Sequence, residues 1–276
     1  LHGRVLKIII KIKLIFFLNQ IPDLRLYKMI DEILENFKNS ELCKKPFWYK
    51  HVKNIFPISY YKELIVNLPN ISEYTAINKT GAVSSDYSSE RFVFDLTNEN
   101  IDKLEINKRD TFKKLVGVFT NPKFFNVISS EFKDTINDRI KNFSEYEKKN
   151  FGVNNFQFSG HMSLVKDFKK YKLGVHTDTS KKFLTFLFYI PENNDLEELG
   201  TALYEKDEKA DIDFGIENNK HIDEKYFKLI KKIPFLPNTL LVFPRTNYTY
   251  HGVQKINIEG VERNLIQLNY YFKNII

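Results

Sequence analysis

The chain of 276 residues is poor in cysteine: Cys43 is its single thiol. One cysteine excludes an internal disulfide framework and every paired-cysteine zinc or redox motif. That fits a reducing compartment, and a cytoplasmic location is the corresponding expectation. Sustained charge of one sign is also lacking. The net charge of +7 comes from 42 Lys+Arg against 35 Asp+Glu. Residues 1–28 hold six of those basic residues (Arg4, Lys7, Lys11, Lys13, Arg25, Lys28) and one acidic residue (Asp23), so the rest of the chain carries 36 against 34. No electrostatic footprint for a phosphate backbone is left there, and nucleic acid is not an expected partner. Long uninterrupted apolar runs are missing too. Val5 to Leu18 is apolar but broken by Lys7, Lys11 and Lys13, too short and too charged for a spanning helix. The Asn19-Gln20-Ile21-Pro22 stretch after it offers no small-residue cleavage site.

The first methionine is Met29, and the residues beyond it read as the opening of an ordinary domain. Residues 1–28 are therefore expected to be an extension outside the folded domain; a basic helix lying on a membrane surface is the second reading. No internal repeat or strong linker divides the remainder. A hydrophobic share of 42%, with 15% aromatics, is enough for a sizeable core and excludes wholesale disorder.

The remaining chain falls into two halves of one expected domain, 29–276. Over 29–150 the pattern is mainly helical. Ile30, Ile33, Leu34 and Phe37 recur at helical spacing, and 111–148 read the same way. Between them lie an extended piece around Pro46–Phe56, a helix over Tyr60–Leu68 capped by Ser59, and a Ser/Thr/Asn/Gly-rich loop over 70–90. Over 151–276 strand-like runs dominate: Phe156–Val165, Phe183–Ile190, Thr239–Phe243 and Asn264–Phe272. Strands without crossover helices predict an antiparallel sandwich or barrel. The charged stretch 204–232 reads as a polar insertion, either a substrate lid or a solvated loop with a short helix.

Two of the six histidines have useful company. In Gly174-Val175-His176-Thr177-Asp178, side chains at i and i+2 of an extended segment point to one face. His176 and Asp178 can thus occupy adjacent corners of a metal's coordination sphere. His251 follows the apolar strand Leu240–Phe243; if it meets that pair, two imidazoles and one carboxylate leave three metal positions open, the donor set of non-heme iron oxygenases. Arg263 comes 12 residues after His251 at the head of a strand. An arginine inside a β-barrel needs an anion, and its planar fork suits a carboxylate. A surface arginine paired with Glu259 or Glu262 is the plain alternative.

Together His176-Thr177-Asp178, His251 and Arg263 resemble the motif of the 2-oxoglutarate/Fe(II)-dependent dioxygenases, in the branch similar to prolyl 4-hydroxylases. Tyr171–Asp178, Leu199–Tyr204, Leu240–Pro244 and His251–Val253 resemble the flanking strands and turns, Pro46–Pro69 resembles the N-terminal opening, and the likeness spans roughly 46–272. The resemblance implies a double-stranded β-helix (jelly roll) with N-terminal helices packed on one side. It implies Fe(II) on His176, Asp178 and His251, 2-oxoglutarate gripped by Arg263, O2 as oxidant, and hydroxylation of a C–H bond with 2-oxoglutarate converted to succinate. Related halogenases lack the carboxylate that Asp178 supplies, which points to hydroxylation. Tyr171 is either a donor to 2-oxoglutarate or a rim tyrosine. Thr185 either faces the co-substrate or packs in its strand. Arg245 and Asn247 either touch substrate or sit on a solvated loop, and His161 is a satisfied core or rim histidine. The substrate is a small molecule or a peptidyl group. The competing reading is a non-catalytic jelly-roll protein that binds a metal or a sugar.

Overall fold

A computed structural model describes residues 24–83, 88–154, 156–210 and 222–274. The basic segment 1–23, with its membrane-surface reading, and residues 211–221, with His221 and the middle of the expected lid, lie outside the described residues. Among the described residues no helix is long and apolar enough to cross a membrane.

Among the described residues seven α-helices precede most of the sheet: α1 Leu24–Asn39, α2 Ile58–Val66, α3 Asn98–Asp102, α4 Ile106–Phe119, α5 Pro122–Glu131, α6 Lys133–Lys141 and α7 Glu145–Phe151. The helix α1 buries Met29, Ile30, Ile33, Leu34 and Phe37, the spacing read from the sequence. It is described from Leu24, and Leu26 packs on the helix-side core. Ser59 does not cap α2. Pro57, with φ −49°, stands at the cap position without a side-chain cap bond, and the ring-fixed φ of proline sets the entry instead. Ser144 does cap α7, through a reciprocal capping box with Glu147.

Among the described residues twelve strands follow in chain order: β1 Leu42–Cys43, β2 Tyr49–Lys53, β3 Thr75–Ala76, β4 Arg91–Asp95, β5 Phe158–Asp167, β6 Leu173–His176, β7 Lys182–Tyr189, β8 Ala202–Lys206, β9 Phe227–Lys232, β10 Thr239–Pro244, β11 Tyr250–Val253 and β12 Arg263–Phe272. They form an eight-stranded sheet ordered β1-β2-β10-β7-β12-β5-β4-β3 and a four-stranded sheet ordered β6-β11-β8-β9. All pairings are antiparallel. The expected helical cover over 29–150 therefore also supplies four strands at the two edges of the large sheet. The end of the charged stretch, expected as a lid or as a solvated loop with a short helix, is the edge strand β9, paired with β8.

The large sheet is buried on both faces. On β7, Leu184, Phe186 and Phe188 join the core beneath the helices, whereas Leu187 and Tyr189 join a second core between the two sheets. The strand β10 divides the same way, Leu240 and Val242 against Leu241 and Phe243. Two-sided burial is why these strands read as continuous apolar runs rather than as alternation. Between the sheets, with Arg263, Thr185, Ser163 and Asn269 among its lining residues, lies a cavity of about 360 Å³.

Candidate metal centre

The strands β6 and β11 pair so that His176 and His251 are direct cross-strand partners. Their rings lie 4.4 Å apart, centroid to centroid. The pairing depends on Gly252: a Cβ there would fall 2.7 Å from the Leu173 carbonyl oxygen and 3.2 Å from that of Gly174. Asp178 follows His176 by two residues, and one donor atom from each of His176, Asp178 and His251 lies within 4.8 Å of the others. His251 Nε2 is 4.0 Å from Asp178 Oδ2.

Each imidazole is oriented by its own strand. The Nδ1 of His176 lies 2.9 Å from the Gly174 carbonyl oxygen, and the Nδ1 of His251 lies 2.9 Å from that of Thr249. A carbonyl only accepts, so Nδ1 carries the hydrogen in both rings and Nε2 presents its lone pair. Burial pushes the pKa of His251 down against the pull of Asp178, which keeps the ring neutral, the form that ligates. Asp178 is held from β7: Lys182 Nζ and Thr185 Oγ1 each donate to a carboxylate oxygen at 2.6 Å. Burial opposes ionisation of Asp178, but Lys182, His251 and His176 outweigh it and keep the carboxyl well below the usual range.

The backbone that carries Asp178 is clamped from outside. Arg245 Nε donates to the Asp178 carbonyl at 3.1 Å. Arg139, on α6, donates to the carbonyls of Lys182, at 2.6 Å, and Ser180. Glu147, on α7, is ion-paired to Arg139 at 3.3 Å and lies 3.8 Å from Arg245. The helical layer thereby fixes the turn between the metal-ligand pair and β7.

Arg263 faces the same cavity at 1% exposure. It does not pair with Glu259 or Glu262. Across the sheet, Arg91 on β4, Asp167 on β5 and Arg263 on β12 stand in one row. Arg91 Nε and Nη2 donate to the two Asp167 oxygens at 2.6 and 2.9 Å, and Arg263 Nη1 donates to Asp167 Oδ2 at 2.7 Å. Arg263 Nε donates to the Leu199 carbonyl at 2.6 Å, while its Nη2 is buried without a partner in the protein. A buried guanidinium with an unused donor fits a carboxylate ligand.

The other predicted residues fall in three places. Thr185 lines the cavity but bonds Asp178. Tyr171 is fully buried in the inter-sheet core with Arg91 stacked 4.3 Å from its ring centroid, and it is not among the residues lining the cavity. Arg245 and Asn247 line a separate cavity of about 130 Å³ beside α6 and α7, where Arg245 Nη1 donates to Asn247 Oδ1 at 2.6 Å. His161 lines the main cavity at its rim, paired with Asp95 at 3.2 Å. Sequence reasoning missed Arg91, Asp167, Lys182, Arg139 and Glu147. For Arg91 a signal existed: Arg91-Phe92-Val93-Phe94-Asp95 carries polar ends around an apolar centre, a short strand beside a loop. The other four carry no local signal, because their partners lie on other elements.

No protein-family profile and no curated protein matches the chain. Solved structures do match. A prolyl-4-hydroxylase of Pseudomonas putida is 8% identical over 90% of this chain and 100% of its own, with a TM-score of 0.44. HygX from Streptomyces hygroscopicus, solved with nickel and 2-oxoglutarate bound, is 11% identical over 87% of this chain and 86% of its own, with a TM-score of 0.47. An oxidoreductase of the 2OG-Fe(II) oxygenase family from Burkholderia pseudomallei is 11% identical over 78% and 89%, with a TM-score of 0.35. At such identities and TM-scores, no residue role passes from these proteins to this chain.

Proposed function

We propose that the chain is an Fe(II)- and 2-oxoglutarate-dependent dioxygenase of the prolyl 4-hydroxylase-like kind, hydroxylating a C–H bond of a small-molecule or peptidyl substrate. The observation that carries this reading is the convergence of the His176, Asp178 and His251 donor atoms to within 4.8 Å, in a cavity that also holds the orphaned donor of Arg263. The alternation of β5–β8 and β10–β12 between the two sheets supports a double-stranded β-helix as its frame.

In this reading His176 Nε2, His251 Nε2 and one Asp178 oxygen hold Fe(II). When bound, iron with 2-oxoglutarate and O2 supplies the oxidant for the C–H bond, with 2-oxoglutarate leaving as succinate and CO2. The protein's own part is preparation. The Gly174 and Thr249 carbonyls fix the tautomers of the two rings. Lys182 and Thr185 hold Asp178 ionised and turned toward the histidines. Arg263 binds the distal carboxylate of the co-substrate, its charge only partly answered by Asp167. Burial of the centre strengthens these contacts and limits access of water.

The test is anaerobic addition of Fe(II) and then 2-oxoglutarate to the purified protein. The expected result is a weak visible charge-transfer absorption that is absent in Asp178→Ala. A folded, iron-loaded wild type without that absorption overturns the proposal and favours a jelly roll that binds without turnover.

A further inference from the structure

The main cavity has two chemically different ends. On β12, Arg263, Leu265, Gln267, Asn269 and Tyr271 all line it, as the period of two requires. Arg263 and Asn269 are six residues apart, about 20 Å along an extended strand. At the Arg263 end stand the guanidinium groups of Arg91 and Arg263. Toward the other end two acceptors stand out among the lining residues. Asp95 faces the cavity with its side chain 41% exposed, and both of its contacts, Ser163 Oγ at 2.7 Å and His161 Nε2 at 3.2 Å, fall on Oδ1. The His161 hydrogen bond outweighs burial and holds Asp95 ionised.

Asn269 is the second acceptor. It is 4% exposed, and its Oδ1 is buried with no partner in the protein. A buried carbonyl oxygen left unsatisfied costs about 1–3 kcal/mol, a cost that a bound N–H group removes. Asn269 stands between His161 on β5 and Thr185 on β7 in the sheet register, and Thr185 bonds Asp178. Asn269 thus stands one strand from the Thr185 that holds Asp178, away from the arginine row. The remaining charged group at this end, Lys182, is committed to Asp178 at 2.6 Å.

We propose that Asp95 and Asn269 form the subsite for the second substrate and select a molecule that carries an amino group. Its ammonium or N–H donors meet the Asp95 carboxylate at the rim and Asn269 Oδ1 inside, while the anionic co-substrate is kept to the Arg263 end. This inference rests on the oxygenase reading for its chemistry, not for its binding geometry.

The test is calorimetric titration of the full chain, anaerobic and loaded with Mn(II) and 2-oxoglutarate. The probes are butylamine, cadaverine and spermidine, beside butanol and pentanediol as uncharged controls and glutarate as the anionic control. Amine probes are expected to bind about tenfold more tightly than the controls. Asp95→Asn should remove most of that difference. Asn269→Asp keeps the acceptor, adds a charge, and should tighten amine binding. Equal binding of amines and controls, no binding of any amine, or indifference to both substitutions overturns the subsite. Failure of Mn(II) and 2-oxoglutarate to bind in the same titration, with amine binding still lost in Asp95→Asn, overturns the oxygenase reading and leaves the subsite standing.

Discussion

Asp178 shows how much of a candidate ligand's behaviour is decided by neighbours it does not announce. Its carboxylate oxygens receive Lys182 and Thr185, both at 2.6 Å, so orientation and charge are set from β7. Removing such an outer partner commonly lowers metal affinity 10–100-fold. Thr185→Val, nearly the same shape without the hydroxyl, is expected to weaken Mn(II) binding by about that factor while circular dichroism and thermal midpoint change little; unchanged affinity would remove Thr185 from the centre. Arg263 separates binding of metal from binding of co-substrate. Arg263→Ala is expected to raise the 2-oxoglutarate Kd by about 30-fold or more, the equivalent of ~2 kcal/mol, with metal affinity intact. Loss of metal binding with 2-oxoglutarate affinity retained would contradict the role given to it. The residue-level motif was legible because an i, i+2 pair on an extended segment shares a face whatever the fold. Asp167 was not legible as the partner of Arg263, because 96 residues separate them and only strand register joins them.

At the scale of elements, β6 and β11 are short strands with a demanding fit. The His251–His176 pairing brings two rings to 4.4 Å, and the backbone approach at Gly252 leaves no room for a Cβ. Gly252→Ala is expected to push β11 off β6 and cost most of the metal affinity, measured by Mn(II) titration, with the large sheet and its far-ultraviolet signal preserved. Retention of wild-type affinity would show that the strand shifts without disturbing the histidines. The long strands β5, β7, β10 and β12 were foreseen to within a few residues, since their apolar runs are fully buried. The strand β4, second from one edge of the large sheet, and the edge strand β9 were not. Their apolar residues are few, and pairing with β5 and β8 decides their conformation.

At the scale of the whole molecule, the sheets and helices form one continuous burial problem, solved by aromatic packing on one side and a mixed polar cavity on the other. The strand β2 bridges the layers. Its Tyr49 belongs to the inter-sheet core, with Lys231 of β9 over its ring at 5.8 Å. His51, two residues on, has its Nε2 buried without a partner in the protein. Burial, with Lys53 and Lys231 nearby, pushes its pKa down to about 4 from the usual 6.5. The unfolded chain therefore binds more protons than the folded one between those values, and stability falls as pH drops through that window. The full span amounts to roughly 3 kcal/mol. Urea denaturation at pH 7 and pH 4.5 should show that loss in wild type and a smaller one in His51→Gln. An equal loss in both would assign the acid sensitivity to other groups.

The features legible from the chain alone are local ones. Period and apolar content set α1, the helices of 106–151 and the four long strands, and the spacing of His176 and Asp178 placed two donors on one face. Features that depend on partners distant in the chain emerged only on folding. Folding brought His251 opposite His176, answered Arg263 with Asp167 rather than with a neighbouring glutamate, and turned Arg245 toward the Asp178 turn. It also placed the unsatisfied Asn269 oxygen beside Thr185. Burial and register are the physical reason: a side chain's charge, tautomer and unmet hydrogen bonds are properties of the space around it, and that space is assembled from strands that lie far apart in sequence.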